Sequence, residues 1–113
     1  MQVTKAFSFD AAHQLPWHQG KCRHLHGHTY RLEVTVAGPI NENGIVLDFD
    51  DLSAAVKRTV IERFDHGFLN DHFPNPTAEL LAIEFAKLLE ADGLNVRKLR
   101  LWETPTSSAT VEA

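Results

Sequence analysis

Hydrophobic and polar residues alternate along two segments in the first third of the chain. From Gln2 to Asp10 the alternation is imperfect, whereas from His28 to Ala37 it is clean. A period of two is typical of strands with one buried face, so we predict a strand in each segment. The intervening residues Ala12–Lys21 hold Pro16 and Gly20 and predict a loop.

Two later segments show the spacing of amphipathic helices. Asp48 is a suitable N-cap for a helix that ends near Phe64. Asn75 is the predicted N-cap of a second helix, with Pro76 at its first position and Gly93 as its stop. The apolar positions of the first helix, Leu52, Val56 and Val60, repeat every four residues.

Two further strands are predicted after the helices, over Asn95–Glu103 and Ser108–Glu112. The turn-rich segment Gly38–Gly44 reverses the chain before the short run Ile45–Leu47. The order strand, strand, helix, helix, strand, strand indicates one α+β domain over residues 1–113, with two helices on one face of a four-stranded antiparallel sheet. Proteins sometimes protect open sheet edges by pairing them with another subunit, so we expect an oligomer.

Composition excludes several classes of protein. The 113 residues are 43% hydrophobic and 23% charged, which rules out collagen-like and largely disordered chains. The net charge of −4 argues against a nucleic-acid-binding or membrane-surface protein. The first residues lack the apolar core of a signal peptide, and the single cysteine excludes an internal disulfide. We therefore expect a cytoplasmic protein.

The chain has seven histidines, and three lie within the stretch Arg23–His28. His26 and His28 are two residues apart at the start of a strand, so both side chains leave the same face and can converge on Zn²⁺. His24 would lie roughly 13 Å from His28 along an extended strand, too far to share one ion. His13, just after the first strand, is the natural third ligand. The alternative is a His-rich strand end that binds no metal.

Other polar residues are candidates for proton transfer. Cys22 lies between Lys21 and Arg23, where positive charge and a nearby metal both favour the thiolate of a base or nucleophile. A metal ligand and an inert cysteine are the competing roles. Asp65 precedes His66, and an adjacent carboxylate can fix the tautomer of an imidazole and raise its basicity. The alternative is that His66 complements the dipole at the end of the first helix.

Polar residues in the second half of the chain are candidates for ligand binding. Glu103, at the end of a strand, can accept two parallel hydrogen bonds from the guanidine-like edge of a pterin or guanine. Thr77 and Glu79 lie in the first turn of the second helix and are further candidate contacts. An acidic residue there more often complements the helix dipole.

Together these segments resemble the 6-pyruvoyltetrahydropterin synthase and 6-carboxytetrahydropterin synthase family, and the identification rests on motifs in family order between residues 7 and 106. The most specific part is Cys22-x3-His26-Gly27-His28 with an upstream Ala-Ala-His13, within the matching stretch Phe9-Asp10-Ala11-Ala12-His13, and a downstream Asp65-His66. The other matching stretches are Val46-Leu47-Asp48-Phe49, Leu52, Leu69-Asn70, Asn75-Pro76-Thr77-Ala78-Glu79 and Glu103-Thr104.

The resemblance implies the tunnelling fold, in which three subunits join their sheets into a barrel and two such rings stack as a hexamer. It also implies active sites between subunits. By resemblance, Zn²⁺ would be bound by His13, His26 and His28, and Cys22 would be the general base. Asp65 and His66 would complete a proton relay from a neighbouring subunit. The substrate-binding residues implied are Glu103 as the anchor of the pterin ring, with Thr77, Glu79 and Thr104 as further contacts.

The implied substrate is 7,8-dihydroneopterin triphosphate, a small molecule, and two products occur in the family. Cleavage of the side chain gives 6-carboxy-5,6,7,8-tetrahydropterin and acetaldehyde, a step of queuosine biosynthesis; retention gives 6-pyruvoyltetrahydropterin. We favour the carboxy product because the chain resembles the compact bacterial branch, and Cys22 counts against folate-route relatives with a glutamate at that place. The same residues would also suit a non-catalytic protein that binds zinc and a pterin, or a structural zinc site with Cys22 as the fourth ligand.

Overall fold

Five strands and two long helical runs form the protein in a computed structural model that describes residues 1–113. The predicted α+β class is confirmed. The strands are β1 (Gln2–His13), β2 (His26–Ala37), β3 (Gly67–Phe68), β4 (Val96–Thr104) and β5 (Ser107–Glu112). The helices are α1 (Phe49–Val56), which continues through a π-helical segment, Lys57–Ile61, into α2 (Glu62–Phe64), and α3 (Ala78–Ala91).

The sheet has the strand order β3-β1-β2-β4-β5. Strands β1, β2, β4 and β5 pair antiparallel, as predicted, whereas β3 pairs parallel to β1. The prediction of a four-stranded antiparallel sheet is therefore wrong: the sheet has five strands and is mixed. A strand of two residues, Gly67 and Phe68, is too short to show any hydrophobic periodicity.

Both strands of the first hairpin extend further than the alternation predicts. β1 continues past Asp10 to His13, and β2 begins at His26 rather than His28. The two ends pair residue by residue, with His13 opposite His26. The added residues include Ala12 and Gly27, which are small and lack the polarity contrast on which the prediction depends.

The N-termini of the helices follow the prediction in one case only. The side chain of Asp48 accepts a hydrogen bond from the backbone N–H of Asp50 and caps α1, as predicted. Asn75 does not cap α3, because Thr77 holds that position and its hydroxyl accepts from the N–H of Leu80. The Asn75 side chain instead accepts a hydrogen bond from the indole N–H of Trp17 at 2.8 Å.

Gly93 ends α3 with a φ of +99°, a conformation that favours glycine, as the prediction of a stop there requires. The run Ile45–Leu47 forms no strand. None of the helices has both the length and the apolar content needed to cross a membrane.

The helices cover one face of the sheet, which we call the helix face. Tyr30, Leu32 and Val34 of β2 point to this face and are fully buried. The opposite face, which we call the open face, carries the alternate residues, including Asp10 and Thr29, both exposed. The sheet of one chain is open, so the barrel formed between subunits stays a prediction.

Candidate metal and active site

Three histidine side chains converge at the end of the hairpin on the helix face. The register places His13 opposite His26, and His28 follows two residues later on the same face. The Nε2 atoms of His13 and His26 are 3.0 Å apart, and ligand nitrogens of all three rings lie within 4.8 Å of one another. His13 is fully buried, whereas His26 and His28 are half-buried. The structure thus brings together the three predicted metal ligands.

Backbone carbonyls fix the tautomers of two of these rings. Nδ1 of His13 lies 2.9 Å from the carbonyl oxygen of Pro76, and Nδ1 of His26 lies 2.7 Å from that of His24. A carbonyl only accepts, so both Nδ1 atoms donate, and in a neutral ring Nε2 then carries a lone pair. Two lone pairs facing each other at 3.0 Å repel unless a cation lies between them. The pair is therefore built to share a cation.

His28 supplies the third nitrogen of the cluster. Its Nε2 is buried and has no hydrogen-bond partner. Burial lowers the pKa of His28 below its ordinary value, against an opposing effect of Glu103, while the neighbouring His13 and His26 also lower it. Three neutral imidazole nitrogens suit Zn²⁺ and other transition metals, so these residues fit the zinc ion implied by the resemblance.

Glu103 lies against the same cluster. Its Oε1 atom is 3.4 Å from Nε2 of His13 and 3.7 Å from Nε2 of His28. With His28 and Thr104 it lines a cavity of about 650 Å³, and with Glu79 it lines a second cavity of about 420 Å³. Glu103 therefore joins the candidate metal site to two cavities that are large enough for a small ligand.

Thr77 has a different position from the other predicted ligand contacts. Its hydroxyl caps α3 and it lines neither of the cavities that contain Glu103. The structure thus gives Thr77 a structural role, whereas Glu79 and Thr104 share cavities with Glu103.

Asp65 and His66 form a hydrogen-bonded pair. Oδ2 of Asp65 lies 2.9 Å from Nδ1 of His66, and Oδ1 of Asp65 accepts from the backbone N–H of Asp10 at 2.9 Å. The hydrogen bond to that N–H is the main cause that lowers the pKa of Asp65, and the bond to Asp65 is the main cause that raises the pKa of His66. The pair therefore favours an imidazolium whose Nε2–H is free to donate a proton.

The Asp65–His66 pair lies at the edge of β1, bound to the backbone of Asp10 and close to its exposed carboxylate, whereas the three metal-ligating candidates lie on the helix face. A cavity of about 390 Å³ is lined by both His66 and His28. Within one chain the pair and the histidine cluster are therefore separate groups, and the cavity touches the cluster only at His28.

Cys22 joins neither group within one chain. It lies half-buried in a 3₁₀ turn, Lys21–Arg23, and its carbonyl accepts from the N–H of Leu15. Its sulfur is absent from the cluster whose ligand atoms lie within 4.8 Å of one another, so the structure does not place it as a fourth metal ligand. Its association with Asp65 and His66 of a neighbouring subunit stays a prediction.

Two residues of the site were missed by the sequence analysis. The hydroxyl of Tyr30 lies 3.3 Å from Nδ1 of His13, and burial raises the pKa of Tyr30 well above its ordinary value. Asp10 contacts both members of the Asp65–His66 pair through its backbone. Tyr30 could have been predicted from the sequence, because it lies two residues after His28 and so on the same face of the strand. Asp10 contacts the pair through its backbone, and backbone contacts leave no signal in the sequence.

Comparison with known proteins gives consistent matches. A family model described as 6-pyruvoyl tetrahydropterin synthase matches residues 2–113. A 6-carboxy-5,6,7,8-tetrahydropterin synthase of Synechocystis is 44% identical, over 95% of this chain and 89% of the relative. The enzyme of the same name from Haemophilus influenzae is 35% identical, over 94% of both chains. The structure of Caenorhabditis elegans 6-pyruvoyl tetrahydropterin synthase has a TM-score of 0.88 at 24% identity, over 100% of this chain and 95% of that one.

Proposed function

The chain belongs to the 6-pyruvoyl tetrahydropterin synthase family, and we propose that it converts 7,8-dihydroneopterin triphosphate and one water molecule into 6-carboxy-5,6,7,8-tetrahydropterin, acetaldehyde and triphosphate. That it is a pterin-processing lyase follows from its family and from relatives 35–44% identical over most of the chain. The observation that carries the specific proposal is the convergence of His13, His26 and His28 beside Glu103, because it supplies a metal site next to a carboxylate suited to a pterin.

The choice of product depends on sequence similarity. The relatives that share 35–44% of their residues with this chain are named for the 6-carboxy product. The solved structure named for the 6-pyruvoyl product shares 24%, a level that supports the fold alone. The 6-pyruvoyl product is therefore the second candidate, and the similarity favours the 6-carboxy product.

The proposed cofactor is Zn²⁺, bound by the three histidines. When bound, zinc would lower the pKa of substrate hydroxyl groups that coordinate it, as it does for water. The carbonyls of Pro76 and His24 keep the rings of His13 and His26 oriented with Nε2 toward the site. Glu103 accepts hydrogen bonds from the 2-amino group and N3–H of the pterin and so fixes the ring relative to the histidines.

Proton transfer is assigned to Cys22 and to the Asp65–His66 pair. The Cys22 thiolate removes a proton from the side chain of the substrate, and His66 returns one from Nε2 while Asp65 holds its Nδ1–H. Because Cys22 lies apart from the pair in one chain, we place the pair at the active site of a neighbouring subunit. This requires an oligomer, which we propose to be a hexamer of two stacked three-subunit rings in the tunnelling arrangement.

A product assay tests this function. Zinc-loaded protein is incubated with 7,8-dihydroneopterin triphosphate and the products are identified by mass spectrometry. We expect 6-carboxy-5,6,7,8-tetrahydropterin together with acetaldehyde, which would place the protein in the cytoplasmic synthesis of queuosine and related 7-deazapurines. 6-Pyruvoyltetrahydropterin as the main product would favour the second candidate, and bound but unchanged substrate would contradict both.

A further inference from the structure

We propose that Asp10 is a positioning residue of the same reaction, which holds His66 for proton donation through its backbone and through a carboxylate that Thr29 fixes in place. The inference rests on the proposed function, in which His66 handles a proton. The evidence is a set of contacts that Asp10 makes at the edge of β1 and with Thr29 on the open face. Neither the family motifs nor the spacing of residues gives Asp10 a role in the reaction.

The backbone of Asp10 binds both members of the Asp65–His66 pair. Its N–H donates to Oδ1 of Asp65 at 2.9 Å, and its carbonyl accepts from the backbone N–H of His66 at 2.6 Å. The parallel pairing with β3 starts one residue later, between Ala11 and Gly67. The pair is thus attached to the edge of β1 immediately before the short strand begins.

This attachment accounts for an unusual backbone conformation. His66 has a φ of +60° and is the only non-glycine residue of the chain with a positive φ. Such a conformation persists in a residue with a side chain only where the surroundings determine it, and it is frequent at functional sites. The hydrogen bond to Asp10 and the bond of Nδ1 to Asp65 together fix the orientation of the ring.

The side chain of Asp10 adds a second negative charge beside the imidazole. Ligand atoms of Asp10, Asp65 and His66 all lie within 4.8 Å of one another. Oδ1 of Asp10 accepts a hydrogen bond from the hydroxyl of Thr29 at 2.5 Å, which limits the rotation of the carboxylate. If His66 lost its proton, two carboxylates would lie close together beside a neutral ring, so the cluster favours the protonated form of His66.

The charged and titratable groups around His66 support this assignment. Asp65 raises the pKa of His66 most, and Asp10 acts in the same direction. The cavity of about 390 Å³ that His66 lines has two further titratable residues in its lining, Asp10 and His28. The carboxylates of Asp65 and Asp10 are the charges that act on His66.

The test is a titration of His66 by NMR in Asp10→Asn. The substitution preserves the backbone contacts and removes the negative charge of Asp10. We therefore expect the midpoint of the His66 titration to move to lower pH than in the wild type. The alkaline limit of kcat should move to lower pH by a matching amount, with KM little changed. Asp51→Asn, which removes an exposed carboxylate from the first turn of α1 and changes the net charge equally, should leave the midpoint unchanged.

Thr29 provides an independent variant. Thr29→Val removes the hydroxyl that binds Asp10, and it should shift the midpoint in the same direction as Asp10→Asn but less, whereas Thr29→Ser should restore it. Because the cluster is exposed, 1 M NaCl should reduce the difference between wild type and Asp10→Asn.

An unchanged midpoint in folded Asp10→Asn and Thr29→Val would overturn the inference, whatever happens to activity. The titration needs no substrate, so it decides the role of Asp10 separately from the proposed function. If the wild type shows no turnover but the His66 titration midpoint is lower in Asp10→Asn, the proposed reaction is overturned. The effect of Asp10 on His66 is then still supported.

Discussion

At the scale of single residues, His13 shows how a polar side chain becomes a ligand. His13 is fully buried, and its Nδ1–H donates to the carbonyl oxygen of Pro76. Its Nε2 lone pair faces the Nε2 lone pair of His26 at 3.0 Å, so neither nitrogen satisfies the other. A core histidine that served only packing would have both nitrogens paired with complementary groups. The unpaired Nε2 of His28 strengthens the same conclusion.

Substitution of Cys22 separates chemistry from metal binding. Because its sulfur lies outside the histidine cluster, Cys22→Ala should retain zinc, and loss of a general base should lower kcat by about 10²- to 10⁴-fold. Metal analysis and steady-state kinetics on the same sample measure both. Full activity in Cys22→Ala would exclude the proposed base, and lost zinc would indicate a ligand instead.

Asp65→Asn should change the pH dependence of activity. It removes the largest cause that raises the pKa of His66, so the fraction of protonated His66 falls at a given pH. The alkaline limb of the kcat profile should therefore move to lower pH. A limb that stays in place would show that a group other than His66 donates the proton.

The pKa shifts of Asp65 and His66 determine the pH range in which their interaction stabilises the fold. The pKa of His66 is raised, so its contribution is complete below the ordinary value of 6.5 and is lost as pH rises through the folded value. The pKa of Asp65 is lowered, so its contribution is complete above 3.8 and is lost as pH falls through the folded value. The pair therefore stabilises the fold most between these two ordinary values, and weakly, since His66 is 79% exposed.

At the scale of elements, the cap of α3 is a prediction that the structure corrects. Thr77→Ala removes the hydroxyl that accepts from Leu80 and should lower the free energy of unfolding by about 0.5–2 kcal/mol. Asn75→Ala removes an exposed contact with Trp17 and should change it by less than about 0.5 kcal/mol. Urea unfolding of both variants measures the difference. An equal loss of unfolding free energy in the two variants would mean that Asn75 also caps α3.

The sequence predicted those features that local patterns encode. Alternation located four strands, and spacing located both helices and the pair His26 and His28, because register and helix period act over a few residues. His13 was predicted from its place at the end of the first strand. The sequence could not locate β3, whose two residues carry no period, nor the Thr77 cap, where three consecutive residues all suit a helix start. The contact between Asp10 and Asp65 joins positions 55 apart in sequence and depends on the whole fold.

At the scale of the whole molecule, the separation of Cys22 from the Asp65–His66 pair predicts shared active sites. If each site takes Cys22 from one subunit and His66 from another, then Cys22→Ala and His66→Ala subunits should complement each other in mixed oligomers. Random equal mixing should restore roughly one quarter of the sites. Activity of co-refolded subunits, with their mass determined by native mass spectrometry, measures this. No gain over the separate variants in confirmed mixed oligomers would place the relay within one chain.

The most direct test of the account is zinc K-edge X-ray absorption of metal-reconstituted protein. We predict one zinc ion for each chain, with nitrogen and oxygen ligands at about 2.0–2.1 Å and the scattering pattern of three imidazoles. His26→Ala should abolish this signal, while His24→Ala, which preserves the backbone carbonyl bound by His26, should retain it. A sulfur ligand at about 2.3 Å would identify Cys22 as part of a closed structural site and contradict the account.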